Sequence, residues 1–319
     1  MVRLKFSVEL NYEVAAPGCD FIFNIHAAHT RSQRVLTGMM ELGQFVLPRV
    51  HTDRATRNRY MRLRAEAGRL RLRYSATVEL QHHVGVPESI GEQPVSSLPD
   101  EVLTYLYPSR YCQSDRLYDV AIREFGRLAP GYRRVRAICD WVGRHVRFES
   151  ASTNASTSAV DTLHERVGVC RDFAHLMIAL CRALNLPARF VTGIDYGADP
   201  ALGPSDFHAY VEVFLDGRWY LFDPSNTAIP MGLMRFGVGR DAADVSFATI
   251  FGSVRAEPRR TQLERGSLPE DGDGMVVFRE MVKVARAARL HPWNWRFPAT
   301  PSIPSSSALT RRCAAPATA

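Results

Sequence analysis

A cysteine stands where a loop turns into a helix. In the stretch Gly168 to Val191 (GVCRDFAHLMIALCRALNLPARFV), the apolar residues Phe173, Ala174, Met177, Ile178, Cys181 and Leu184 recur at helical spacing. Asn185, Leu186 and Pro187 then stop the run. Cys170 therefore falls in the first turn of a buried helix, where unpaired backbone N–H groups and the positive end of the helix dipole favour a thiolate. Gly168 lets the chain turn tightly just before it. Cysteine is also a common core residue, so the assignment of chemistry depends on partners.

Two partners follow on a hairpin. Phe207 to Leu215 (FHAYVEVFL) alternates, Asp216-Gly217 is a two-residue turn signal, and Arg218 to Phe222 (RWYLF) returns before Asp223-Pro224. With that turn Leu215 pairs with Arg218, and paired residue numbers sum to 433. His208 then pairs with Ser225, and Asp223 becomes its diagonal neighbour on the same face, near enough for a carboxylate to bond an imidazole. These types suggest Cys170 as nucleophile, His208 as the base that takes and returns a proton, and Asp223 as the group orienting the ring. His175, five residues beyond Cys170 on the same helix, points away from it. Asp172 is read as a helix N-terminal residue, and Arg171 as a solvent-facing cation or an aid to the thiolate. Of the two oxyanion donors needed, the Cys170 N–H is one, and the loop Ser150 to Ser158 or His164 is a candidate source of the second.

The order Cys, His, Asp on a helix start and two antiparallel strands resembles the transglutaminase-like superfamily, relatives of the papain-type cysteine proteases. The matching stretches are GVCRDFAHL around Cys170, PARFVTG at Pro187 to Gly193, DFHAYVEV around His208 and GRWYLFDPSN through Asp223. The likeness covers roughly Tyr132 to Thr227. A weaker one links Met1 to Leu80 with the β-rich N-terminal region of bacterial members, and GRDAADVSF at Gly239 to Phe247 with their segment after the triad. By this resemblance Cys170, His208 and Asp223 inherit the triad roles, and the fold is α+β: a papain/transglutaminase-like core preceded by an all-β sandwich. Animal members depend on calcium, but no EF-hand-type loop or carboxylate cluster stands out here. No cofactor is expected.

The rest of the chain must position these residues. Its 319 residues, 46% hydrophobic, suffice for two domains with real cores. Met1 to about Val95 reads as short strands closing a small sandwich, and Val86 to Pro99 as a linker. Residues 96–256 form the catalytic unit in this reading, with helices from Ser114 to Leu128, from Tyr132 to His145 carrying Trp141 toward the core, and from Ala159 to Arg166. The Gly- and Pro-rich stretch between Ile194 and Phe207 is a candidate substrate-selecting loop. Residues 257–319 form an extension, with an amphipathic helix at Met275 to Leu290 and a disordered Pro/Ser/Thr/Ala tail.

Composition narrows the partners. Six irregularly spaced cysteines with no CxxC pair argue against a disulfide framework and a zinc site, and Cys139 and Cys181 read as core residues. No apolar run reaches the roughly 18 residues of a membrane span, and the strand-like N-terminus carries no signal pattern, so a cytoplasmic location is expected. The formal charge of +7 concentrates in Arg54 to Arg73, eight arginines against Glu66, read as a hairpin with leucines inward. That face is a solvated surface or a site for an acidic partner; no aromatic interleaving points to nucleic acid. The expected activity is that of a thiol-dependent amide hydrolase acting on a protein or peptide. Transfer to an amine and a non-catalytic peptide-binding module are the alternatives.

Overall fold

Period-two alternation carries the first quarter of the chain into strands: β1 (Val2–Val14), β2 (Cys19–Phe23), β3 (Gln33–Leu42), β4 (Arg49–Thr52), β5 (Arg59–Ala65) and β6 (Gly68–Leu80). The computed structural model describes residues 2–150, 152–195, 207–228, 232–256 and 260–265. Leu4, Phe6, Val8 and Leu10 of β1 share one core with Phe21, Met61, Leu63, Leu70 and Leu72. The Arg54–Arg73 segment departs from the expected hairpin. β5 pairs with β2 and β4, whereas β6 pairs with β1 and β3, so the chain crosses between two sheets at Glu66 and Ala67. Its leucines do point inward, but both sheets use that core. Arg62 and Arg64 consequently project from one outer face and Arg69 and Arg71 from the other. Arg64 pairs with Asp20 and Arg71 with Glu9.

After two 3-10 turns the helical part begins with α1 (Asp100–Leu103), α2 (Tyr118–Phe125) and α3 (Tyr132–His145). The helix expected from Ser114 is broken there: Ser114–Arg116 forms a 3-10 turn, and α2 ends before Leu128, which is exposed. The linker is fastened to this layer, since Glu92 accepts from Gly131 N–H at 2.7 Å and pairs with Arg134. Then come β7 (Arg147–Phe148), α4 (Ala159–Glu165), β8 (Val167–Gly168) and α5 (Cys170–Ala183). Every residue of α5 from Asp172 on is buried, and its buried polar residues Asp172, His175 and Arg182 each have hydrogen-bond partners. It lies against the sheet formed by β9 (Ala188–Asp195), β10 (Phe207–Leu215), β11 (Arg218–Phe222) and β12 (Leu233–Gly239), in the order β11-β10-β9-β12. Phe173, Met177 and Cys181 pack there with Phe190, Val211 and Val213.

The chain then returns to where it began. β13 (Ala248–Phe251) joins β2, while β14 (Val254–Ala256) and β15 (Arg260–Arg265) both join β1. The boundary expected at residue 256 therefore misses the topology, because the sandwich takes strands from both sides of the helical unit. Ile194, Met234 and Phe236 also enter the sandwich core, so the two layers share apolar packing. The proposed helix at Met275 to Leu290 and the tail lie outside the described residues, as does most of the loop before Phe207. No helix among the described residues is long and apolar enough to cross a membrane.

Candidate active site

Cys170 opens α5 and is half-buried. The first bonds around this end run from Asp172 N–H (2.8 Å) and Phe173 N–H (3.2 Å) to the Val169 carbonyl, so the Cys170 and Arg171 amides precede the helical ladder. Asp172 holds the turn. One of its oxygens accepts from Val169 N–H at 2.9 Å and from the Thr153 hydroxyl at 2.7 Å; the other pairs with Arg171. Arg171 reaches on to the Asn154 carbonyl at 2.8 Å. Neither reading of Arg171 applies, since its charge is spent pinning the 150–158 loop to the helix start. A Cβ at Gly168 would come 2.8 Å from the Asp172 Cβ, which explains the glycine there.

The hairpin has the register its turn dictates. Leu215 pairs with Arg218 and Val211 with Phe222, with Asp216 (φ 45°) and Gly217 (φ 74°) making the turn. β11 ends at Phe222, so His208 has no partner on that side; its cross-strand partner is Gly193 of β9. A Cβ at Gly193 would overlap the Met234 carbonyl oxygen, so only glycine lets β12 approach here. Asp223 follows β11 directly, and its Oδ2 stands 3.3 Å from His208 Nε2. The carboxylate is fixed by the next turn: Ser225 N–H (3.0 Å) and hydroxyl (2.6 Å) donate to Oδ1, and Ala228 N–H (3.0 Å) donates to Oδ2. The Tyr210 ring lies edge-on to the imidazole at 4.5 Å. Burial opposes charge on His208 most strongly, yet the facing Cys170 sulfur and the nearby Asp223 carboxylate raise its pKa well above the ordinary value. The three predicted residues thus meet: His208 lies between Cys170 and Asp223.

Other predicted residues do not join them. His175 is fully buried, stacked on Tyr111 at 5.0 Å, and its Nε2 accepts from Ala242 N–H at 3.1 Å. Burial lowers its pKa to about 3, so it is a neutral core acceptor. His164 bonds the Val160 carbonyl of its own helix at 2.7 Å, which removes it as an oxyanion donor. Thr153 and Asn154 of the 150–158 loop are engaged by Asp172 and Arg171. Cys139 and Cys181 are buried, with thiol pKa values raised by desolvation. Trp141 packs edge-on to Phe125 at 5.8 Å and stacks on His145 at 4.0 Å. Sequence reasoning missed Asp195, which it left at the start of a loop. It ends β9, buried, near His208 and Asp223. The available signal was an acid closing an otherwise apolar strand.

Comparison with known proteins places the fold. Residues 121–224 match the transglutaminase-like superfamily, and residues 2–101 match the bacterial transglutaminase N-terminal domain. A crystal structure from Cytophaga hutchinsonii, described as a candidate cysteine protease, is 38% identical with a TM-score of 0.78, covering 84% of this chain and 92% of that one. An uncharacterized protein of Mycobacterium leprae is 32% identical over 119 residues, 36% of this chain and 42% of that protein. The human kyphoscoliosis peptidase is 31% identical over 98 residues, 28% of this chain and 15% of its own length. The aligned region thus spans less than half of these last two relatives. With both parts of the chain matched and the Cytophaga structure aligned over nearly its whole length, this protein belongs to the transglutaminase-like superfamily, a family of thiol-dependent enzymes.

Proposed function

We propose that this protein hydrolyses amide bonds in proteins or peptides through Cys170, His208 and Asp223. The observation that carries the reading is the line from the α5 N-terminus to His208 to Asp223, with the imidazole held at 3.3 Å by a carboxylate that is itself fixed by three donors. In the first step His208 takes the proton of the Cys170 thiol. The Cys170 sulfur attacks the amide carbonyl, and the carbonyl π pair moves to oxygen. The oxyanion is stabilised by the Cys170 N–H and the positive helix end. His208 delivers its proton to the leaving amine as the C–N bond breaks, giving a thioester. Neutral His208 then takes a proton from water, hydroxide adds to the thioester, and collapse releases a carboxylic acid and restores the thiolate–imidazolium pair. Asp223 keeps the ring oriented throughout and offsets its positive charge.

The relatives named as a candidate cysteine protease and a peptidase support hydrolysis over transfer to an amine. The first half-reaction is common to both, so the test separates them at the second. Purified protein is given a glutamine-containing peptide with and without a labelled primary amine, and mass spectrometry reads the products. Cleavage or deamidation with no amine incorporated is the expected result; incorporation would replace hydrolase with acyltransferase. Alkylation by iodoacetamide against pH tests the thiol itself. Rapid labelling of Cys170 well below a free thiol's pKa of about 8.5, lost in His208→Ala, is expected. Ordinary thiol behaviour in both proteins would remove the enzyme reading and leave a peptide-binding module.

A further inference from the structure

Each strand flanking β10 leads a carboxyl group to the His208 end. Asp223 comes from the β11 side. Asp195 closes β9 two residues past Gly193, the partner directly opposite His208, so the pleat puts it on the face that His208 occupies and diagonal to it. The surroundings of the two acids are opposite in kind. Asp223 accepts from Ser225 and Ala228. Asp195 is 2% exposed, and neither of its oxygens has a hydrogen-bond partner among the described residues. A buried polar group left bare in this way calls for an explanation in function.

Among the described residues the charged groups around it are few. On β12 its opposite number is Leu233, and Arg235 of that strand is committed to Glu212. From α5, Cys170 faces His208, while Arg171 and Asp172 are paired with each other. What acts on Asp195 is His208 on β10 and Asp223 beyond β11. Burial pushes the Asp195 carboxyl up to about 8; the His208 charge pulls against this and the Asp223 charge adds to it. A proton therefore remains on Asp195 in neutral solution, because no described residue donates to a second anion beside Asp223. As the solution turns alkaline that proton leaves, and the new charge acts on the nearest cation.

We propose that Asp195 is a positioning residue for His208, a second carboxyl that on ionising holds the imidazole in its charged form from the β9 side. The inference rests on the role given to His208 above. It makes the thiolate–imidazolium pair persist further into alkaline solution than Asp223 alone would allow, and it accounts for a bare acid at this place in the sheet.

The test is an NMR titration of the His208 imidazole in the full chain, with the signal assigned by its loss in His208→Gln. Replacing the acid in Asp195→Asn is expected to lower the His208 midpoint by about one pH unit, an energy ordinary for a nearby charge. Asp195→Glu restores at least half of the shift, and the alkaline limb of Cys170 alkylation moves the same way. A midpoint that stays put or rises in Asp195→Asn overturns the proposal. If that variant does not fold, Asp195→Ser is read by the same criterion. A shifted midpoint in a protein without amidase activity would sink the hydrolase reading alone, and an unshifted one in an active enzyme would sink this assignment alone.

Discussion

The strand β10 carries two buried ionic clusters on one face, four residues apart, and the two are built on different terms. At Glu212 every demand is met: Arg189 donates to one oxygen at 2.7 Å, Arg235 pairs with the other, and the Arg189 guanidinium stacks on Trp219 at 3.9 Å. At His208 the demands are met on one side only, with Asp223 saturated and Asp195 bare. The first cluster pairs its charges with one another and ties β9, β10 and β12 together. The second leaves a sulfur, an imidazole and a carboxyl with capacity to spare. A buried charge is thus structural where its hydrogen bonds close on themselves and chemical where they do not.

Cutting each cluster should produce distinct damage. Cys170→Ala is expected to reduce amidase turnover on the order of 10⁴-fold or more while leaving the urea midpoint near wild type, which a peptide-release assay and a denaturation curve would read together. Comparable loss of stability would mean that the His208 end is structural too. Glu212→Gln has the reverse signature. It removes the charge between Arg189 and Arg235 and should cost about 3–5 kcal/mol of unfolding free energy, with the protein that remains folded still labelled at Cys170.

The two ends also answer pH in opposite directions. The pKa of Glu212 is lowered in the fold: burial works against its charge, but Arg189 and Arg235 outweigh burial. Its contribution is present above its unfolded value of about 4.3 and is lost as acid takes the solution through the folded value. His208 is raised, so its contribution is complete below about 6.5 and is lost as alkali takes the solution through the folded value. Urea midpoints measured across pH should fall at both extremes. In His208→Gln the alkaline fall should shrink and the acid fall remain; no change in either limb would show that the His208 pairing adds nothing to stability. The smallest expected effect belongs to the buried histidine of α5. His175→Phe gives up one hydrogen bond, to Ala242 N–H, and should cost about 1–2 kcal/mol, with the alkylation profile of Cys170 unchanged.

Much of the site was legible because it depends on short-range rules. The helix start at Cys170 follows from apolar spacing and Gly168, and the placement of His208 near Asp223 follows from a two-residue turn that fixes the register of everything beyond it. The detail that failed lies past the turn's control. The ladder stops at Phe222, so Ser225 never pairs with His208; its hydroxyl binds Asp223 instead. Arg171 and His164 were also misplaced as possible helpers, because the partners that claim them, Asp172 with Asn154 and the Val160 carbonyl, depend on exact loop geometry.

The sequence alone determined which elements exist along most of the chain and which three side chains could cooperate, since periodicity, turn chemistry and residue type are local properties. Only the tertiary structure decided which sheets those elements join. Alternation in Arg59–Ala65 and Gly68–Leu80 is the same whether the strands pair with each other or face each other across a core, and burial of both apolar faces selects the second. The return of β13, β14 and β15 to β1 and β2 likewise satisfies open strand edges that no local pattern reveals. Asp195 belongs to the same class: one acid among many in sequence, it becomes a bare carboxyl beside His208 only when β9 and β10 are laid in register and water is excluded from between them.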